Sequence, residues 1–289
     1  MDKIDRQILA ELARDGRVTR RDLAIRMSLS RESVARRLKA LLSDSGARVV
    51  GLVHPSVLGE VVLAHVSLEI SDPAETVAKH LSTDEAIPFV SLTLGAMALT
   101  AEIRVSTQDE LFQALARVRD TPGVESAIVS LYDKLLIDVL PEAPAFNYSP
   151  DEIDLALIRS LRQDGRTSYS ALAAAAGVSI GTARSRTLKL LKDGVVRIGV
   201  IGDSQPSAGQ LRVGVGLRIR GSARDLAQAL ATLPQVSFLA TAAGQFDLVA
   251  TLENPSNAAA VSALDKLRTH PEVVHCETWV HLQVFKEQH

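Results

Sequence analysis

Sliding this 289-residue sequence along itself by 149 positions superimposes one half on the other without a gap. Ile4-Asp5 falls on Ile153-Asp154, Asp15-Gly16-Arg17 on Asp164-Gly165-Arg166, and Leu23-Ala24 on Leu172-Ala173. Ser30 then meets Ser179, Arg37 meets Arg186, and Leu41-Leu42 meets Leu190-Leu191. Far downstream the same offset aligns Gly95 with Gly244, Pro122 with Pro271 and Val124 with Val273. A single offset over such a distance reads as a tandem duplication, so one fold has to be found for both halves. Between them, residues 141–150 carry three prolines, which deny the stretch a helix and favour an extended linker.

Each half changes period once. Ile4, Ile8, Leu9 and Leu12 form a helical stripe that stops at Gly16. Thr19 and Asp22 resemble a capping box, and Ser30 is placed to cap a helix bearing Val34, Leu38, Leu41 and Leu42. Three short helices with a tight turn before the last are the pattern of a helix-turn-helix. The rest of each half reads strand, helix, strand, strand, helix, strand. In the first these are Val61–Ile70, Pro73–Leu81, Phe89–Leu94, Leu99–Val105, Gln108–Arg119 and Val124–Leu131. In the second they are Leu211–Ile219, Ala223–Leu233, Val236–Ala242, Phe246–Leu252, Asn257–Thr269 and Val273–Phe285. The expected fold class is α+β: two tandem copies of a winged-type three-helix domain, each followed by a ferredoxin-like βαββαβ sandwich. The domains are 1–50, 51–140, 151–200 and 201–289, with the linker at 141–150.

Composition removes several function classes. Aromatic residues are 3% of the chain, too few for a platform that stacks single-stranded bases. One cysteine, Cys276, excludes an internal disulfide and a cysteine-rich metal site. His275 and His281 share a strand face about 20 Å apart, with Cys276 on the other face, so no metal is expected, nor any cofactor. No stretch reaches the ~18–20 apolar residues of a membrane helix, and the first ten residues lack a signal-peptide core. A cytoplasmic protein without membrane contact is expected.

The residues Asp5, Ile8-Leu9, Asp15-Gly16-Arg17, Leu23-Ala24, Leu29-Ser30, Val34 and Arg37 resemble the DNA-binding domain of the Lrp/AsnC (feast/famine) regulators. Ile153-Asp154, Asp164-Gly165-Arg166, Leu172-Ala173, Gly177-Val178-Ser179 and Arg186 match the same pattern. The βαββαβ segments are similar to that family's regulator-of-amino-acid-metabolism domain, so the resemblance spans the chain twice. It implies a sequence-specific, DNA-binding transcriptional regulator, not an enzyme, tuned by an amino acid or related small molecule. It also implies a homodimer of two-module chains or a higher oligomer.

With Val34, Leu38 and Leu41 on the buried side of the third helix, Glu32, Ser33, Arg36 and Lys39 project outward. Arg31 lies at its start and Arg37 on its flank; Arg17, Arg20, Arg21 and Arg26 precede it as candidate phosphate clamps. From Arg17 to Lys39 there are eight basic and two acidic residues. In the second half Glu32, Ser33, Arg36 and Lys39 become Gly181, Thr182, Ser185 and Leu188, leaving Arg184, Arg186 and Lys189 as the candidate contacts. The first helix-turn-helix is therefore expected to dominate affinity. Residues 1–50 and 151–200 carry +5 and +3, leaving −10 on the remainder of a chain whose net charge is −2.

Members of the family carry a Gly-x-x-Asp turn that lines the ligand pocket. Here it reads Gly244-Gln245-Phe246-Asp247 in the second half and Gly95-Ala96-Met97-Ala98 in the first, so Gly244, Gln245 and Asp247 are the candidate effector residues. Two other functions compete. Siroheme decarboxylases also resemble paired AsnC-type modules; that reading needs a positioned His or Arg, and 48–63 offers only His54. The other is an effector sensor that does not bind DNA.

Overall fold

The computed structural model describes residues 3–14, 16–43, 48–138, 148–201 and 210–288. In chain order the elements are α1 (Lys3–Arg14), α2 (Arg20–Met27), α3 (Arg31–Ser43), β1 (Arg48–Leu52), β2 (Val62–Ile70), α4 (Ala74–Leu81), β3 (Phe89–Leu94), β4 (Leu99–Val105), α5 (Gln108–Arg119) and β5 (Val124–Ile137). The same order follows again: α6 (Glu152–Gln163), α7 (Tyr169–Ala176), α8 (Ile180–Lys192), β6 (Arg197–Ile201), β7 (Leu211–Ile219), α9 (Ala223–Ala231), β8 (Val236–Gly244), β9 (Leu248–Asn254), α10 (Asn257–Arg268) and β10 (Val273–Glu287). A 3-10 turn at Pro55–Leu58 follows β1. Asp15 and the first seven residues of the expected linker, 141–147, lie outside the described residues.

The compact units follow the kind of domain and not the halves of the chain. Met1–Leu58 joins Glu142–Ser204 in one unit, and Gly59–Pro141 joins Gln205–Gln288 in the other. The first unit holds both helix-turn-helix segments. Thr19 caps α2 by accepting the Asp22 N–H at 3.1 Å, and Ser30 accepts the Ser33 N–H at the start of α3 at 3.1 Å. β1 and β6, absent from the sequence-based assignment, pair antiparallel with Val50 opposite Gly199. β1 is buried at every residue but Arg48, so it carries no alternation to read. β1 contributes Val49 to the core that holds Leu157, Ile158 and Leu161; β6 contributes Ile198 to that same core, and its half-buried Val200 packs against both it and the core that holds Ile8 and Leu12. The Gly16 N–H donates to the Ile198 carbonyl at 3.3 Å, and the Gly165 N–H to the Val49 carbonyl at 2.8 Å. The two bonds are mates of each other at +149, and so is the register of the ribbon, so the segments are related by a local two-fold through Val50 and Gly199.

The α2–α3 turn needs a left-handed residue. Ser28 takes φ 54° there, and Gly177 takes φ 64° at the corresponding place. An L side chain in this conformation costs about 1 kcal/mol. Ser28→Gly is therefore expected to stabilise the chain by about that amount, and thermal unfolding checks it.

In the second unit the strands order as β10-β3-β4-β2-β5-β8-β9-β7, closing into an eight-stranded barrel. Within each half the strand order is that of the expected ferredoxin-like sheet, but the two sandwiches are not separate. β5 runs past its expected end at Leu131 to Ile137 and pairs with β8 mostly there, whereas β10 meets β3 mainly through Val280–Val284, inside its expected span. These pairings use the strand edges that two open sheets would expose. Helices α4 and α5 cover one set of alternating side chains, including Val66, Leu68, Val90 and Ile103. The other set faces the barrel interior and is buried too, although many of its members are polar: His65, Ser67, Ser91, Thr100, Glu102 and Arg104.

Candidate nucleic-acid interface and ligand groove

Burial of Val34, Leu38 and Leu41 fixes which side of α3 faces out. Glu32, Arg36 and Lys39 are exposed along the opposite stripe, with Arg31 exposed at the N-terminus and Ser33 half-buried. Arg20 and Arg21 are exposed on α2. Together they place several guanidinium and ammonium groups around one outward helix, where base edges and phosphates can be met.

Arg37, Arg186 and Arg17, all expected contacts, are held by the protein itself. Arg37 pairs with Asp5 at 2.7 Å, tying α3 to α1. Arg186 does the same between α8 and α6, pairing with Asp154 at 3.2 Å and with Asp151. Arg17 donates to the Thr167 carbonyl at 2.9 Å and lies 5.0 Å over the Tyr169 ring, while Arg166 donates to the Val18 carbonyl at 3.0 Å. The last two bonds are two-fold mates across the β1–β6 ribbon. Both Asp–Arg pairs and both Gly–Arg contacts recur at the repeat offset, and this is the signal in the sequence that marks them as architectural.

On α8 the buried side is Ala183, Thr187 and Leu190. Gly181, Thr182, Ser185 and Leu188 are exposed on the outer side, as are Arg184 and Lys189 at its edges. Arg184 lies 6.0 Å from the Tyr169 ring, a residue that sequence reasoning passed over. Leu188 is 46% exposed and Ile180 57%, so this face presents apolar surface where α3 presents charge.

In the second unit the three candidate effector residues have separate roles. Gly244, at φ 134°, lets β8 approach β5; a Cβ there would meet the Val129 carbonyl oxygen at 2.5 Å. Gln245 donates to Glu277 at 3.3 Å. Asp247 accepts the Ile219 N–H on Oδ2 at 2.8 Å, and its backbone closes the turn onto Ala242 and Leu217. Asp247 also lines a groove of about 710 Å³ with Asp133, Lys134, Arg224 and Gln228. Lys134, Arg224 and Gln228 had no motif to betray them. Two cations and two carboxylates around one groove suit a zwitterion.

Inside the barrel, His65 stacks on Trp279 with centroids 5.3 Å apart, and Phe246 lies 6.0 Å from the same indole. Burial pulls the His65 pKa down to about 4. His281, beside Ser91 at 2.9 Å, is pulled down to about 3 by burial and by the nearby Arg212 charge. Burial raises the Glu102 carboxyl despite its contacts with Arg104 at 2.9 Å and the Tyr132 hydroxyl at 3.1 Å. His54 stands elsewhere, with its Nδ1 2.7 Å from the Ser56 hydroxyl. Among the described residues no three His, Cys, Asp or Glu side chains are grouped to hold a metal, and no helix is long and apolar enough to cross a membrane.

Residues 1–44 and 150–197 match winged helix-turn-helix DNA-binding, and residues 211–289 match the Lrp/AsnC ligand binding domain. The HTH-type transcriptional regulator FL11 of Pyrococcus abyssi is 30% identical over 128 residues, which cover 43% of this chain and 84% of that protein. The HTH-type transcriptional regulator LrpA of Mycobacterium tuberculosis is 30% identical over 131 residues, 44% of this chain and 86% of its own. Among solved structures, the siroheme decarboxylase NirDL shares the fold over 99% of this chain and 93% of its own, with a TM-score of 0.65 at 13% identity. With most of two regulators matched at this identity, the chain belongs to the Lrp/AsnC family.

Proposed function

We propose that this protein is a DNA-binding transcriptional regulator built by tandem duplication, carrying two unlike reading heads on one polypeptide. The observation that carries the reading is the first unit. There a two-fold ribbon and its reciprocal Gly and Arg contacts hold two helix-turn-helix segments in one frame, with Arg36 and Lys39 exposed on α3. Nearly whole relatives align with under half of this chain, as a doubled module requires. The groove beside Asp247 supports an amino acid or related zwitterion as effector. Because the closed barrel uses its own strand edges, assembly into dimers of chains would engage other surfaces. Phe112 on α5 and Val261 on α10, exposed at positions 149 apart, support that route.

A gel-shift series on the DNA upstream of the protein's own gene tests this. Replacing Arg36 and Lys39 by alanine is expected to weaken binding roughly a hundredfold, since each specific contact contributes ~1–3 kcal/mol. Replacing Arg184 and Lys189 is expected to cost markedly less, and equal losses would contradict unlike heads. Arg186 is unsuited as the comparator, because its removal strands Asp154 in a buried position. Repeating the series with each amino acid, on wild type and Asp247→Ala, tests the effector.

The decarboxylase reading has the fold of NirDL in its favour. Against it, His54 is engaged with Ser56, and the surroundings of His65 are filled by Trp279 and Phe246. We take the chain as a regulator without catalytic activity, for which titration with a tetrapyrrole gives no spectral shift.

A further inference from the structure

We infer that the two recognition helices read chemically different half-sites. On this account α3 reads polar base edges, and α8 reads the methyl groups of a thymine-bearing half-site through Leu188 and Ile180. The inference rests on the DNA-binding reading above and adds to it the base chemistry of each head.

Two independent features of α8 carry it. The first is Gly181, exposed in the first turn of the helix. A Cβ there would meet nothing closer than the Ser179 hydroxyl, at 3.8 Å. The backbone is helical and the space is open, so nothing inside the molecule asks for glycine. Glycine in a helix is unfavourable by about 1 kcal/mol relative to alanine. What it permits is close approach of the helix backbone to an external surface. The corresponding residue of α3 is Glu32, whose side chain would hold that helix further off and can accept from a cytosine amino group.

The second feature is the chemistry of the exposed stripe. Leu188 is 46% exposed and flanked by Ser185 and Gly181, and Ile180 is 57% exposed at the helix start. Leu188 and Ile180 put apolar atoms at the positions where α3 carries the charged Lys39 and Arg31. Residues 167–192 contain no Asp or Glu, while Arg184, Lys189 and Lys192 are exposed around the stripe. An apolar floor with a rim of cations matches the major groove of an A·T-rich duplex, where thymine methyls line the floor and phosphates line the walls. A neutral protein surface would leave those cations without counter-charges.

The test starts from operators selected by the full-length protein from a random duplex library. In the half-site protected by α8, each thymine is replaced in turn by deoxyuridine, which removes only the 5-methyl group. Binding is expected to weaken about fourfold for each contacted methyl, the effect of one buried apolar carbon. In Leu188→Ala, an exposed change that leaves the fold intact, the same replacements are expected to have little effect. Arg36→Ala is expected to keep the uracil sensitivity. Selected sites that ignore uracil everywhere, or a Leu188→Ala chain as sensitive as wild type, would overturn the inference while leaving DNA binding in place. Loss of self-association in Leu188→Ala with unchanged DNA affinity would overturn it too and assign the face to a protein partner. A chain that selects no DNA would overturn this inference and the reading beneath it.

Discussion

Lowering the pH from 7 to 5 is expected to destabilise the barrel, with its two enclosed histidines together contributing a loss of about 4 kcal/mol. His65 and His281 are enclosed, with pKa values pulled from the ordinary 6.5 to about 4 and about 3. In this window the unfolded chain binds protons that the folded chain refuses, so stability falls as the pH falls. Each histidine contributes about 1.4 kcal/mol per pH unit below 6.5. The loss runs down to the folded values and is absent above pH 7. Glu102 acts in the opposite sense, because burial raises its carboxyl and the folded state takes up that proton more readily. Urea unfolding at pH 7 and pH 5 measures the difference. In His65→Gln about half the pH slope is expected to disappear, and an unchanged slope would show that His65 is not the group being titrated.

Gly165→Val is expected to uncouple the two heads while leaving the outward residues of α3 and α8 unchanged. Gly165 sits where α6 ends against β1. A Cβ there would lie 2.9 Å from the Val50 carbonyl carbon and 2.8 Å from Ile198 Cγ2. The first neighbour is backbone, and it cannot retreat without disturbing the pairing of Val50 with Gly199. Strain of this kind costs about 1–3 kcal/mol, borne here by the ribbon and by the hydrogen bond from Gly165 to Val49. Two heads held in one frame gain from each other as linked binding sites do, so loss of the frame should lower affinity for a complete operator by ten- to a hundredfold. Affinity for a duplex carrying only the first half-site should barely change. Equal losses on both duplexes would mean that the ribbon does not couple the heads.

Most helices and strands were legible because one face of each is apolar at the right period: Ile8 and Leu12 on α1, Val34 and Leu38 on α3, Val66 and Leu68 on β2. The barrel was not legible. His65, Ser67, Glu102 and Arg104 alternate with those apolar residues as a solvated face would, yet they are enclosed by strands from the other half. Such pairing joins residues about a hundred positions apart, as Ser130 with Gly244, and no local pattern records it. For the site, the outward residues of α3 follow from helical geometry alone. Arg17, Arg37 and Arg186 look like further cations until their partners are seen. Positions that stay identical in the two halves hold the molecule together; those that differ, Glu32 and Gly181, Arg36 and Ser185, Lys39 and Leu188, face outward.

On the proposed reading, one chain presents two unlike heads to DNA in a common frame. Hydroxyl-radical footprinting of the full-length protein on its selected operator distinguishes this from two equivalent heads. Protection of two neighbouring segments of different sequence is expected, with Arg36→Ala weakening protection of one segment first. A perfectly palindromic site protected equally on both sides, and weakened equally by that substitution, would contradict it.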